Sequence, residues 1–233
     1  QIFFTKNGVS YGLFRTEKNY KRKKGQKGVP RLIVETDMVH VNWQNTNPKV
    51  KVSGQEPYAD FHSYPVRNGD KGFRDVNYIK GYKKISYKNI YEGIDLEYTF
   101  HPKTGLKYAF IVHPGADPNQ ISINVETNRK VNLDQEGNIR IHTKFGDIID
   151  HKPLTFYDGN PSTIIESAYQ NQGNTIQFKL GNYDKSKKLV IDPWTVVPSN
   201  FSNSNKIWEI ETDQNSNVYV YGGDSPMRLR KYN

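Results

Sequence analysis

The sequence predicts an all-β protein, an antiparallel β-sandwich-like domain followed by the first strands of an incomplete β-propeller. Three observations predict it. Apolar residues alternate with polar ones through many short runs, nearly every run is bounded by Gly, Asn, Asp or Pro, and no 3.6-residue period persists beyond about two turns. Short strands at about 8–12-residue spacing with turn signals between them build sandwiches and related antiparallel stacks.

The first predicted hairpin joins Ile2 to Thr5 with Val9 to Phe14 through Lys6-Asn7-Gly8, where Asn-Gly is expected to supply positive φ angles. Residues 18–27 (KNYKRKKGQK) read as a solvated basic loop between two strands. Residues 31–43 alternate as a long strand, with residues 49–53 as a short neighbour. Residues 54–84 carry Tyr58, Phe61, Tyr64, Phe73, Tyr78 and Tyr82 in a polar background, and are expected to form loops and short strands over a sheet edge.

The strongest pattern lies between Tyr87 and Val125. Tyr91, Ile94, Leu96 and Tyr98, then Leu106, Tyr108, Phe110 and Val112, suit a half-buried pleated surface. His101-Pro102-Lys103-Thr104-Gly105 must turn, because Pro102 lacks a ladder donor and Gly105 tolerates positive φ. Further strands are predicted at 121–126, 130–133, 139–143, 148–151, 154–157, 164–170, 175–180 and 189–191, with hairpin turns at 134–138 and 145–147.

A boundary follows Ile191-Asp192-Pro193-Trp194. This gives a sandwich-like domain over 1–194, a Pro/Ser/Asn-rich linker over 195–205 and the opening of a propeller blade over 206–233. The last part has candidate strands at 207–211, 218–221 and 227–232, too few to bury their own apolar face. The chain opens in a strand without methionine, so an upstream segment is expected to have been processed away or omitted.

Composition excludes several functions. There are no cysteines, hence no disulfide framework, thiolate zinc site or cysteine nucleophile. No apolar run approaches about 18 residues, so no transmembrane helix is expected. The charge of +9 invites a nucleic-acid reading, but the charge gathers in the 18–27 loop, and no nucleic-acid partner is expected. That class would require Lys21 to Lys24 to carry salt-dependent affinity. Phosphate-loop and GxSxG patterns are missing.

Individual candidates read as structural. Asp95 and Glu97 lie two apart on one strand face and could in principle pair as acid and base, but behind Ile94, Leu96 and Tyr98 they read as its polar side. His40, His62, His101, His113, His142 and His151 show no close metal-ligand spacing. Asp213, Asn215 and Asn217 mimic the start of a calcium loop but lack its Gly and distal Glu, and read as a hairpin turn. Asn200 heads a glycosylation sequon, which matters only where the host glycosylates Asn. No catalytic, cofactor or metal residue is assigned, and no enzyme activity is expected.

The ordered series YKNIYEGIDLEY, LKYAFIVHPGADPNQI, LDQEGNIRIHT, HKPLTFY and LVIDPW resembles the β-rich domain of unknown function (DUF7948-like) that precedes SBBP-type β-propeller repeats in secreted bacterial proteins. The resemblance covers essentially residues 1–194. WEIETDQNSNVYVYGG is similar to the start of an SBBP blade. The resemblance implies an extracellular or outer-cell-surface protein of the Bacteroidota, exported by type IX secretion, with a role in adhesion or gliding motility by analogy of context. Its implied partners are other surface proteins, extracellular glycans and, during export, the secretion machinery. A glycan-binding module or carbohydrate-active enzyme is the alternative. Limited proteolysis is expected to cut first within residues 18–28 or 197–205, where little apolar surface tethers the backbone; resistance at both would contradict the loop and linker readings.

Overall fold

The computed structural model describes residues 2–19, 31–67, 73–101, 105–198, 207–212 and 218–222. In these the protein is all-β, built of antiparallel sheets. The only helical element among them is a 3-10 turn at Pro118–Gln120, where the Asp117 side chain accepts from the Asn119 N–H.

One sheet has six strands in the spatial order β1 (Ile2–Thr5), β2 (Gly8–Asn19), β3 (Arg31–Trp43), β8 (Ser122–Glu126), β15 (Thr175–Leu180) and β14 (Ser167–Gln172). The second begins with β4 (Lys51–Arg67), β5 (Phe73–Tyr91), β6 (Ile94–His101) and β7 (Gly105–Val112), and forks beyond β7. One branch is β16 (Leu189–Asp192), β12 (Leu154–Tyr157) and β13 (Asn160–Ile165). The other is β17 (Trp194–Val196), β11 (Gly146–Asp150), β10 (Ile139–Thr143) and β9 (Val131–Leu133). Pro193 causes the fork: it cannot donate to a ladder, so the chain breaks there, with Leu189 to Ile191 pairing the end of β7 and Trp194 and Thr195 its start.

The two sheets share one core, and large aromatic side chains join them. Trp43 of the first sheet meets the Phe110 ring edge-on at 5.4 Å and lies 5.9 Å from the Tyr108 ring. Phe4 stands edge-on to Tyr98 at 4.8 Å, and Phe178 to Phe110 at 5.8 Å. The Tyr87 hydroxyl donates across the gap to the Thr5 carbonyl at 2.7 Å. Alternation explains the arrangement, since Ile94, Leu96 and Tyr98 on β6 and Leu106, Tyr108, Phe110 and Val112 on β7 all turn inward and are buried.

Several expectations need correction. Residues 54–67 and 73–84 are not loops over an edge: they lie in β4 and β5, which continue as one long two-stranded arm, with register shifts between Pro57 and Phe61 and between His62 and Tyr64. Those bulges interrupted the alternation and hid the strands. Residues 51–53 pair with β5 in the second sheet and are no neighbour of β3. The run 164–170 is two strands, because the chain passes from one sheet to the other at Glu166, whose carbonyl accepts from the Gly181 N–H at 2.8 Å. The first hairpin stands, but neither Asn7 nor Gly8 takes positive φ. Its turn uses the Thr5 hydroxyl, which accepts from the Asn7 N–H and donates to the Gly8 carbonyl.

The predicted 101–105 reversal joins β6 and β7 through the pair His101 and Gly105. The boundary placed after Trp194 falls inside β17. β18 (Ile207–Thr212) and β19 (Val218–Gly222) pair with each other, and β18 joins β5 at the single partner pair Glu211 and Gly81. The basic loop from residue 20 to 30, most of the linker, the Asp213 to Asn217 turn and the third blade strand lie outside the described residues.

Gly8 is needed for close approach: a Cβ built there lies 2.2 Å from the Val41 carbonyl oxygen on the adjoining strand. Gly8→Ala is therefore expected to cost about 3 kcal/mol of folding stability in urea unfolding, since a backbone atom must move to admit the methyl. A loss below about 1 kcal/mol would show that the β2–β3 ladder yields easily.

Candidate functional site

Asp95 and Glu97 share a strand face as their spacing predicted, and both are engaged in holding it. The Lys88 ammonium lies 2.9 Å from Asp95 and 3.9 Å from Glu97, and Lys84 lies 3.1 Å from Glu97. Asp95 also accepts from the Asn89 backbone N–H at 2.7 Å and lies 3.1 Å from His113 Nε2. Here β5 bulges between Tyr87 and Tyr91, opposite Asp95 on β6, and Asn89 adopts φ 56°. The carboxylate thus satisfies a backbone donor that the bulge removes from the ladder. Burial opposes ionisation of Asp95, but the Asn89, Lys88 and His113 contacts outweigh it and hold its carboxyl below the ordinary range.

The histidines stay apart. His40 Nδ1 lies 2.7 Å from the Ser10 hydroxyl, His142 sits between Asp147 and Asn132 at 2.9 Å each, and His151 stacks on Trp194 at 4.6 Å. No cluster of three potential metal ligands occurs among the described residues. The side chains of His62 and His101, together with Asp213, Asn215, Asn217 and Lys21 to Lys24, lie outside them.

A constellation that the sequence reading missed occupies the sheet-to-sheet interior. Asp150, the last residue of β11, accepts from the Tyr108 hydroxyl at 2.6 Å and the Tyr169 hydroxyl at 3.0 Å on Oδ2, and from Thr195 at 3.1 Å on Oδ1. All three partners are buried, and Tyr169 comes from the opposite sheet. Asp150 as a whole residue is half-buried, and it lines the cavity between the sheets. Desolvation pushes its pKa up to about 6, with the three hydroxyls pulling the other way. Enclosure by hydroxyl donors makes this an inter-sheet tie.

The exposed counterpart is the β4–β5 arm. Phe61 is 52% and Tyr78 75% exposed, with ring centroids 4.8 Å apart, and Lys83 lies 5.8 Å from the centroid of half-exposed Tyr58. Tyr78 sits in the second bulge with φ 62°, a left-handed conformation unusual for a bulky residue and costing about 1–2 kcal/mol. Bulges of this kind re-aim side chains. The arm is therefore the candidate contact surface, and its Tyr78 ring is placed by a strained backbone without burial to offset the strain.

These features define an all-β domain in which Asp95, Glu97 and Asp150 are hydrogen-bonded or ion-paired to neighbouring residues and exposed aromatics lie on an arm. Residues 1–194 match the family described as Domain of unknown function (DUF7948), and the chain belongs to that family. No curated protein matches the chain, and no solved structure does. No helix among the described residues is long and apolar enough to cross a membrane.

The raised Asp150 pKa fixes a sign for pH dependence. Between about pH 4 and 6 the folded protein holds a proton that the unfolded chain releases, so this group's contribution to stability falls as pH rises through that window. Asp150→Asn removes the titration. Relative to this variant, the native protein is expected to lose about 2 kcal/mol of stability between about pH 4 and pH 7.5, read from denaturant melts. A pH-independent difference would place the Asp150 charge in solvent.

Proposed function

We propose that this chain is a non-enzymatic interaction and scaffold module of a secreted or cell-surface protein, of the kind that Bacteroidota export by type IX secretion and use in adhesion or surface motility. The observation that carries this reading is the contrast between its acids and its rings. Asp95, Glu97 and Asp150 are each engaged by neighbouring residues, whereas Phe61 and Tyr78 stand in solvent on the β4–β5 arm. Exposed aromatic side chains offer large, rigid contact area at low entropic cost, as recognition surfaces require.

Residues 206–233 read as the opening strands of an SBBP-like propeller blade, carried behind the 1–194 domain by the 195–205 linker. The antiparallel β18–β19 pair supports that reading. Partners of the module are other surface proteins or extracellular glycans. The glycan-binding alternative draws on the same rings, whose faces can stack on sugars.

The test compares the protein with a Phe61→Ser/Tyr78→Ser variant on glycan arrays and on immobilised cell-surface proteins. Saturable binding without turnover, weakened about tenfold or more in a variant of unchanged melting temperature, is the expected result. Glycan hydrolysis that Asp95→Asn or Glu97→Gln abolishes would replace the module with an enzyme.

A further inference from the structure

Between the sheets lies a cavity of about 20 Å³, enough for one water molecule. Aliphatic side chains form most of its wall, but Trp43, Tyr98, Tyr108, Asp150 and Thr195 also line it. Two of these carry polar atoms with no hydrogen-bond partner in the protein: the Trp43 indole N–H and the Tyr98 hydroxyl. Both residues are deeply buried, Trp43 at 4% exposure and Tyr98 at 2%. An indole N–H can only donate, and leaving such a group unpaired in the interior lowers the folding constant by roughly tenfold. Apolar cavities of this size stay dry, whereas those offering 2–4 polar partners bind water.

We propose that this cavity is a binding site for a single ordered water molecule, which accepts a hydrogen bond from Trp43 Nε1–H and bonds the Tyr98 hydroxyl, joining both to the Asp150 cluster. Chemistry selects water over any larger ligand: the volume admits nothing bigger, and the residues that line it include ones carrying an unpaired obligate donor, an unpaired amphoteric hydroxyl and a carboxylate. Trp43 belongs to the first sheet and Tyr98 and Asp150 to the second, so the water bridges the sheets beside the direct Tyr169 to Asp150 bond.

Two measurements on the full chain test the site. The Trp43 Nε1–H resonance is expected to show a cross-peak to a long-lived internal water in rotating-frame NMR, and to lose it in Val125→Ile, whose added methylene fills the cavity from a fully buried position. In unfolding experiments Val125→Ile is expected to lower the folding constant about tenfold or more. That loss should shrink in a Tyr98→Phe background, where the displaced water has one partner fewer. A cost of equal size in both backgrounds would be plain overpacking and would overturn the proposal. So would an absent cross-peak, or a gain in stability on filling the cavity, since a dry void is improved by an added methylene.

Discussion

The contact between Trp43 and the Tyr98-Tyr108-Phe110 face of β6 and β7 is the constraint on which the remaining architecture depends. Rings of this size, centroids 5.4 to 6.4 Å apart, set the separation of the two sheets, and each ring fixes the register of its own strand. A one-residue slip of β7 would turn Tyr108 and Phe110 outward and bring Lys107 and Ala109 into the core. Tyr98 and Tyr108 are direct cross-strand partners, so the β6–β7 ladder and the sheet-to-sheet packing enforce one another. Aromatic pairs add about 0.5–1.5 kcal/mol each beyond the area they bury, which suits a chain whose hydrophobic fraction is only 35%.

A core built from tyrosine carries a polar obligation that one built from leucine does not. Each inward ring brings a hydroxyl, and the fold meets most of these demands by pairing: Tyr87 to Thr5, Tyr91 to Ser122, Tyr108 and Tyr169 to Asp150. Asp150 can be retained in the interior because tyrosine hydroxyls surround it, and those hydroxyls are satisfied because it accepts from them. The same reciprocity holds on β6, where the β5 bulge leaves the Asn89 N–H without a ladder partner and the buried Asp95 supplies one. Each carboxylate thus completes hydrogen bonds that the surrounding strands would otherwise leave open.

Legibility followed the regularity of the backbone. β6, β7, β10, β12 and β15 were readable because their alternation is unbroken and their turns contain Gly, Pro or Asp. The β4–β5 arm was not, since bulges shift the alternation at Phe61 and Tyr64 and positive φ falls on Glu56 and Tyr78, residue types that carry no signal for it. β17 was hidden by its three-residue length and by Pro193 before it. The Asp150 site had a faint signal: Ile148 and Asp150 are two apart on one strand, so a strand with Ile148 inward must aim Asp150 inward also. Its partners Tyr108, Tyr169 and Thr195 come from three other strands, and only tertiary pairing brings them together.

The arm's two margins differ in a way that decides how it can be used. Among the described residues β4 pairs only with β5, leaving its other edge a row of backbone donors and acceptors open to any passing strand. Pro57 and Pro65 remove donors from that strand, and the two register shifts twist it, so the edge is blunted against strand addition. The other margin, on β5, carries no proline between Phe73 and Tyr91, and there β18 attaches at Gly81, beyond the point where β6 pairing ends at Lys84. Ladder formation is thus permitted where the chain's own next segment docks and discouraged on the opposite side. What the arm leaves open beside its blunted edge is its faces, and the exposed rings of Phe61 and Tyr78 lie 4.8 Å apart there.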